Sequence, residues 1–336
     1  MKIVFVHLGS GKAKHLESNL KRFRKIFNSV EVVLIVSKDS SIDLSVVPEI
    51  EIFEYSPNQA TEEKLQKLTY NPKFRKGFWR YSLERIFALE QFHKTYPEVP
   101  LLHLESDCLI LPNFPFDKFA ALDTLYWTRD TESADVATIL YSPNHVETSW
   151  LASTVTSLLD VDHELTDMTA LSRISHNHVK RARVLPSTPD DDWNKFNGLF
   201  DPAGYGVWLT GQDPRNNFGV ILRGTIGKTT LISPGKFKYK ITDKEELQLL
   251  NGEKIIPIYN LHIHSKNLHL FSKHWEWYLK IELIKAQSVF KNTFSIRAFF
   301  HILEDIHRRH NLRKIKTYKI IAKIIFNRIQ NLKNHD

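Results

Sequence analysis

The sequence predicts an α/β fold: a sheet that opens with parallel strands, flanked by helices and followed by a C-terminal helical extension. Three observations carry this expectation. Apolar runs at residues 3–8 and 32–36 enclose a glycine turn (Gly9, Ser10, Gly11) and a helical spacing of Leu16, Leu20, Phe23 and Phe27; this is the strand, turn, helix, strand order of a parallel unit. An apolar stretch at residues 101–111, L-L-H-L-E-S-D-C-L-I-L, carries two carboxylates at its centre. Beyond Lys273 the apolar residues fall at helical intervals to the end of the chain.

The remaining elements follow in order. Residues 50–55 read as a third strand and 71–77 as a polar loop. A helix over Phe78–His93 has Leu83, Ile86, Phe87, Leu89 and Phe92 on its apolar side. Residues 122–127 and 137–141 read as further strands, and His145–Leu159 as a helix. From 160 to 183 the chain is polar, and His163, His176 and His178 lack a metal-binding spacing, so helix and loop with solvated histidines is expected. Residues 254–263 form a late strand that Pro257 assigns to an edge. The last segment sets Ile320, Ile324, Ile325 and Ile329 against Lys316, Lys319, Lys323 and Arg328. Such a basic amphipathic helix suits an anionic membrane surface, or else docks on the protein's own body.

Composition narrows the function classes. With 336 residues and 42% hydrophobic content there is material for one large core or two modest ones. A lone cysteine, Cys108, excludes an internal disulfide framework and is expected in the core. The opening run is too short for a signal peptide, and no stretch reaches the roughly 20 apolar residues of a spanning helix. A cytoplasmic protein is expected, peripheral on the inner membrane face if the tail binds lipid. The net charge of +8 sits in that tail: residues 308–336 hold nine of the 46 Lys and Arg but one of the 38 acids. A charge-balanced body argues against nucleic acid as a partner.

Ligands of parallel α/β sheets bind beyond the carboxyl ends of the strands. That rule gathers His7, Leu8 and Gly9, with Ser37 and Asp39, on one rim with Glu105 and Asp107. The G-x-G here lacks the third glycine of a dinucleotide fingerprint. Residues two apart on a strand point to the same side, so Glu105 and Asp107 are expected to share Mg²⁺ or Mn²⁺ with a diphosphate; the other reading is a strand end with solvated acids. Arg80 and Arg85, near the first turns of their helix, either approach that diphosphate or pair with Glu84 and Glu90. His262 and His264 alternate with Leu261 and Ile263 and therefore share a face, with Lys266 following at once; metal and phosphate chemistry is one reading, surface histidines the other. Residues 186–217 pack turn formers, aromatics and five aspartates into one loop-rich stretch, of a composition that usually binds a ligand. There Asp201 and Asp213 read as site residues or as caps, and Tyr205 and Trp208 as flat surfaces for sugar stacking.

The order S-L-E-R-I-F, H-L-E-S-D, G-L-F-D, G-Q-D-P-R-N and L-H-I-H-S-K resembles GT-A glycosyltransferases, in particular bacterial enzymes that act on surface polysaccharides. The resemblance covers residues 1–270 and leaves residues 271–336 as a helical extension. It implies a Rossmann-like mixed sheet, a nucleotide-sugar donor (a UDP-sugar favoured) and a glycan or lipid-linked acceptor. It also implies Mn²⁺ or Mg²⁺ held by Glu105 and Asp107 in the D-x-D position, with His262 or His264 completing the shell and Lys266 on the diphosphate. Glu105 departs from the usual first aspartate, which leaves open whether it ligates. For an inverting reaction Asp201, then Asp213, is the expected base. A non-catalytic glycan-binding scaffold and a metal-dependent hydrolase of phosphorylated substrates stand as alternatives.

Overall fold

The computed structural model describes residues 1–11, 13–42, 49–71, 74–213, 230–242, 246–266 and 268. The expected C-terminal helices and the membrane-binding tail lie outside the described residues. Among the described residues no helix is long and apolar enough to cross a membrane.

A seven-stranded mixed sheet forms the centre. Strands β1 (Lys2–His7), β2 (Val32–Ser37) and β3 (Glu51–Tyr55) run parallel, and β4 (Leu101–Leu104) joins β1 on its other side, also parallel. Beyond β4 the sheet turns antiparallel through β7 (Ala134–Ser142) and β6 (Leu125–Thr131), and β8 (Ala182–Val184) closes it parallel to β6. The spatial order is β3-β2-β1-β4-β7-β6-β8. The direction of strand addition therefore reverses between β1 and β4, which opens a crevice at their carboxyl ends.

Strand alternation feeds two cores. Val4, Val33 and Ile35 face one side, where helix α3 (Phe78–His93) packs Leu83, Ile86, Leu89 and Phe92, alongside α5 (His145–Leu159) and α6 (Asp167–Asn177). Ile3, Phe5 and Leu34 face the other, against Leu16, Leu20 and Phe23 of α1 (Lys14–Ile26). Caps fix the helix starts: the Asn144 side chain accepts from Glu147 N at 3.1 Å, and Thr166 forms a capping box with Thr169. Two further helices, α2 (Gln59–Gln66) and α4 (Phe116–Ala120), fill connections that carried no clear periodicity.

Three expectations are corrected here. The stretch at 101–111 is two strands: Cys108 N bonds to Glu105 O at 2.9 Å, closing a turn between β4 and β5 (Cys108–Ile110). The late strand also divides, into β11 (Lys254–Ile258) and β12 (Asn260–His262). β11 is an edge of a three-stranded sheet with β10 (Leu247–Asn251) and β9 (Lys238–Ile241), as Pro257 predicted, while β12 pairs with β5. Residues 204–210, read as loop, form helix α7 (Gly204–Thr210), buried along its whole length in a third core with Leu109, Leu249 and Ile256.

Candidate metal centre and cleft

The turn between β4 and β5 carries Glu105, Ser106 and Asp107 over the β1–β4 crevice. Buried polar residues of α1 pin it in place. Asn19 Nδ2 donates to Cys108 O at 2.8 Å and to Ser106 O at 3.2 Å, and Arg22 Nη1 donates to Ile110 O at 2.6 Å. Strand β12, paired with β5, delivers His262 opposite the turn. Its Nε2 lies 3.1 Å from Asp107 Oδ2 and 3.4 Å from Glu105 Oε2. One ligand atom from each of the three residues falls within 4.8 Å of the others. The two carboxylates converge because the chain turns between them, and strand alternation plays no part.

The donor set fits a hard divalent cation. Two ionised carboxylates and one imidazole nitrogen suit Mn²⁺ or Mg²⁺ and leave coordination positions for phosphate oxygen and water. The imidazole is held in the matching tautomer: the Pro202 carbonyl, an obligate acceptor, lies 2.5 Å from Nδ1, and the buried Thr138 hydroxyl lies 2.9 Å from the same atom. Nδ1 therefore carries a proton and Nε2 faces the carboxylates.

Asp201 secures the backbone beneath. It is fully buried and accepts from Tyr205 N at 2.9 Å, Gly206 N at 2.7 Å and His262 N at 2.9 Å. One carboxylate thus caps α7 and fixes the height of β12. Gly206 permits the close approach, since a Cβ there would stand 2.1 Å from His262 O.

Charge around the triad is balanced by two cations. Arg85 donates to Glu105 Oε1 at 2.5 Å and to Asp167 Oδ2 at 2.6 Å. Lys266, at a left-handed φ of +56°, turns back so that its ammonium meets Asp107. Burial works against ionisation of Glu105, but Arg85 and His262 hold its pKa down to about 2. Asp107 is likewise held well below the usual carboxylate range, with Lys266 and His262 overcoming its burial. Without a cation, burial disfavours the imidazolium of His262, yet Asp107 and Glu105 pull it up to about 9, so a bound cation would displace the proton on Nε2 while Nδ1 keeps its own. His264, its ring centroid 4.4 Å from that of His262, is driven down to about 3 by burial and by its charged neighbour.

A cavity of about 350 Å³ opens over the triad. A second, of about 520 Å³, runs across the β1–α1 turn, and Arg75, Phe78, Ser82, Arg85, Ser106 and Lys266 wall both. The turn is built for close approach. Gly9 sits at φ +84°, where a Cβ would lie 2.7 Å from the Tyr81 ring, and its N–H donates to Ser37 Oγ at 2.8 Å. Ser37 Oγ in turn donates to Asp39 at 2.7 Å. His7 Nε2 lies 2.8 Å from Gly11 O, and burial lowers its pKa.

Most of the residues marked in the sequence meet here. His7, Leu8, Gly9, Arg85, Glu105, Asp107, Asp213, His262, His264 and Lys266 line the two cavities, while Ser37 and Asp39 stand behind Gly9. Others are placed differently. Arg80 pairs with Glu62 and Glu84 and is not in either cavity wall. Arg85 is committed to Glu105 and Asp167, where the sequence offered Glu84 or Glu90. Asp201 has no exposure and both its oxygens accept backbone N–H groups, so of its two readings the cap is the one realised. Asp213 lines the triad cavity, 3.3 Å from Arg75. Tyr205 and Trp208 are buried in the third core, which removes them as sugar-stacking surfaces. Sequence reading missed Arg75, Asp130 and Asp167 in the cavity wall, and His15, whose Nε2 is 3.0 Å from Ser106 Oγ. Their partners are too distant in sequence for any local pattern to expose them.

No family model and no curated protein matches this chain. Solved structures similar to it include the galactosyltransferase LgtC in complex with donor and acceptor sugar analogs, at 12% identity and a TM-score of 0.39, covering 55% of this chain and 73% of that one. A glycosyltransferase involved in glycosylation of the major capsid of PBCV-1 is similar at 13% identity and a TM-score of 0.33, covering 55% and 80%. The glycosyltransferase GlyE of Streptococcus pneumoniae TIGR4 stands at 13% and 0.32, covering 55% of this chain and 44% of its own. The functional reading therefore rests on the geometry of the site itself.

Proposed function

We propose that the chain is a metal-dependent glycosyltransferase with a GT-A architecture. It moves a sugar from a nucleotide-sugar donor, a UDP-sugar in the first instance, to a glycan or lipid-linked saccharide of bacterial surface polysaccharide synthesis. The observation that carries this reading is the convergence of Glu105, Asp107 and His262 at the topological switch of the sheet, beside a glycine turn and a lysine.

Glu105, Asp107 and His262 hold Mn²⁺ or Mg²⁺, which when bound supplies Lewis-acid stabilisation of the departing nucleoside diphosphate. Lys266, with its side chain about one-third exposed, adds fixed positive charge where the diphosphate leaves. The β1–α1 lobe, with Gly9 allowing backbone approach, receives the nucleoside. Thr138, Pro202 and Asp201 hold His262 in position, and Arg85 orients Glu105. If the reaction inverts the anomeric carbon, Asp213, which lines the triad cavity beside Arg75, is the candidate base. The basic tail, residues 308–336, attaches the enzyme to anionic lipid; its removal is expected to shift the protein to the soluble fraction with donor hydrolysis retained.

A thermal-shift panel of UDP, GDP, CDP and CMP, with and without Mn²⁺, tests the reading. A ligand at 100 times its dissociation constant stabilises the fold by about 2.7 kcal/mol. One nucleotide is expected to stabilise wild type only with metal, and Asp107→Ala to lose the effect. Absence of any nucleotide shift in wild type would instead favour a glycan-binding scaffold.

A further inference from the structure

With Tyr205 and Trp208 buried, any sugar-facing aromatic surface must come from elsewhere in the cleft. One is present at the start of α3. Phe74 and Phe78 are 40% and 38% exposed, and both line the triad cavity. The Phe74 ring stacks on Trp79 at 6.0 Å and 11°, and Phe78 meets Trp79 edge-on at 5.1 Å and 70°. A sharp bend presents them: Arg75 holds φ +45°, ψ +38°, and Gly77 φ +90°. A left-handed non-glycine residue is strained, and strain of this kind gathers at ligand sites. The Arg75 guanidinium lies 5.3 Å and 5.6 Å from the Phe74 and Phe78 ring centroids and 3.3 Å from Asp213.

We propose that Phe74, Phe78 and the Arg75–Asp213 pair form the acceptor subsite. It takes a pyranose ring, with the sugar's C–H face on the exposed phenyl surfaces and its hydroxyls on the ion pair. This deepens, and rests on, the transferase reading. Position selects the ligand: Phe74 and Asp213 wall the triad lobe and not the glycine-turn lobe that suits a nucleoside, while Arg75 and Phe78 stand where the two lobes meet. A pyranose offers an apolar face with a polar rim, which matches phenyl faces beside an ion pair. An aliphatic chain would cover that charged pair without offering it a hydrogen bond.

Saturation-transfer NMR on the full chain with UDP and Mg²⁺, using methyl β-D-galactopyranoside and methyl β-D-glucopyranoside as probes, tests this. Wild type and Phe74→Trp are expected to saturate the ring C–H protons of at least one glycoside. Phe74→Leu, which keeps apolar volume but loses the π face, is expected to lower that signal at least fivefold. Phe78→Leu serves if Phe74→Leu does not melt as a folded protein. Equal signals on the leucine variants, or no signal on wild type from either glycoside, overturn the proposal. Loss of the UDP signal on Phe74→Leu also overturns it, because the platform would then carry the base. Glycoside binding through Phe74 without any UDP binding to wild type would keep the sugar platform but overturn its acceptor role together with the transferase reading.

Discussion

Arg85→Met tests whether the guanidinium is a fixed part of the triad or a free phosphate contact. In the fold Arg85 is the cation between two buried carboxylates, with Glu105 at 2.5 Å and Asp167 at 2.6 Å, and the three side chains are 10%, 19% and 7% exposed. Methionine keeps the apolar stem and removes both charge-assisted bonds. Breaking a buried pair by removing one partner costs about 3–5 kcal/mol, because the remaining charge is left uncompensated. Here two carboxylates are left, and Asp167 is already raised by burial despite Arg85. In the variant Asp167 is expected to titrate above its unfolded value, while Glu105 keeps His262 beside it. The penalty is then full above the new folded pKa of Asp167 and relieved as pH falls toward the unfolded value near ~4. Urea denaturation at pH 8.0 and pH 5.0 is the assay. Wild type is expected to exceed Arg85→Met by about 3–5 kcal/mol at pH 8.0 and by less at pH 5.0. A difference below about 1 kcal/mol at pH 8.0, well short of the cost of breaking a buried pair, would refute the reasoning and return Arg85 to the pool of donor contacts.

Two further outcomes follow from the packing. Gly206→Ala drives a methyl into the His262 backbone, where the contact would be 2.1 Å, and is expected to cost about 3 kcal/mol or more and to weaken Mn²⁺ uptake. Gly11→Ala, whose added methyl meets nothing within 4 Å, is the control, and equal melting temperatures for the two variants would contradict the close approach. His93 is buried between Thr148 Oγ1 at 2.5 Å and Val99 O at 2.9 Å, and burial pushes its pKa down to about 4. A depressed histidine contributes stability that is fully present above its unfolded pKa near ~6.5 and lost as pH falls toward the folded value. Between pH 7.5 and 5.0 this amounts to roughly 2 kcal/mol. His93→Gln is expected to remove that part of the acid sensitivity in urea titrations; an unchanged pH slope would contradict the assignment.

What the sequence revealed depended on how local the determining physics was. β1, β2, α1 and α3 were legible because period-2 and period-3.6 burial are written into consecutive residues such as Leu16, Leu20 and Phe23. Glu105, Asp107 and His262 were found because their chemistry is rare inside apolar runs, but the geometry expected for the carboxylates was wrong: a turn joins them. Residues 204–210 read as part of a binding loop because G-Y-G-V-W has the composition of one. Its burial depends on β12 packing against Gly206, contributed from 56 residues further on. The choice between the two readings of Asp201 is closed to sequence for the same reason, as one of its three donors, His262 N, is 61 residues away. The Arg85–Asp167 contact spans 82 residues.

The central claim is that Glu105, Asp107 and His262 together hold the cation that binds the donor diphosphate. Electron paramagnetic resonance of free Mn²⁺, titrated with wild type and with Asp107→Ala in the presence and absence of UDP, tests it most directly. The account predicts one Mn²⁺ per wild-type chain, at least tenfold tighter uptake with UDP, a reciprocal tightening of UDP by Mn²⁺, and loss of both in Asp107→Ala. Mn²⁺ uptake that ignores UDP, or that survives unchanged in Asp107→Ala, would contradict it.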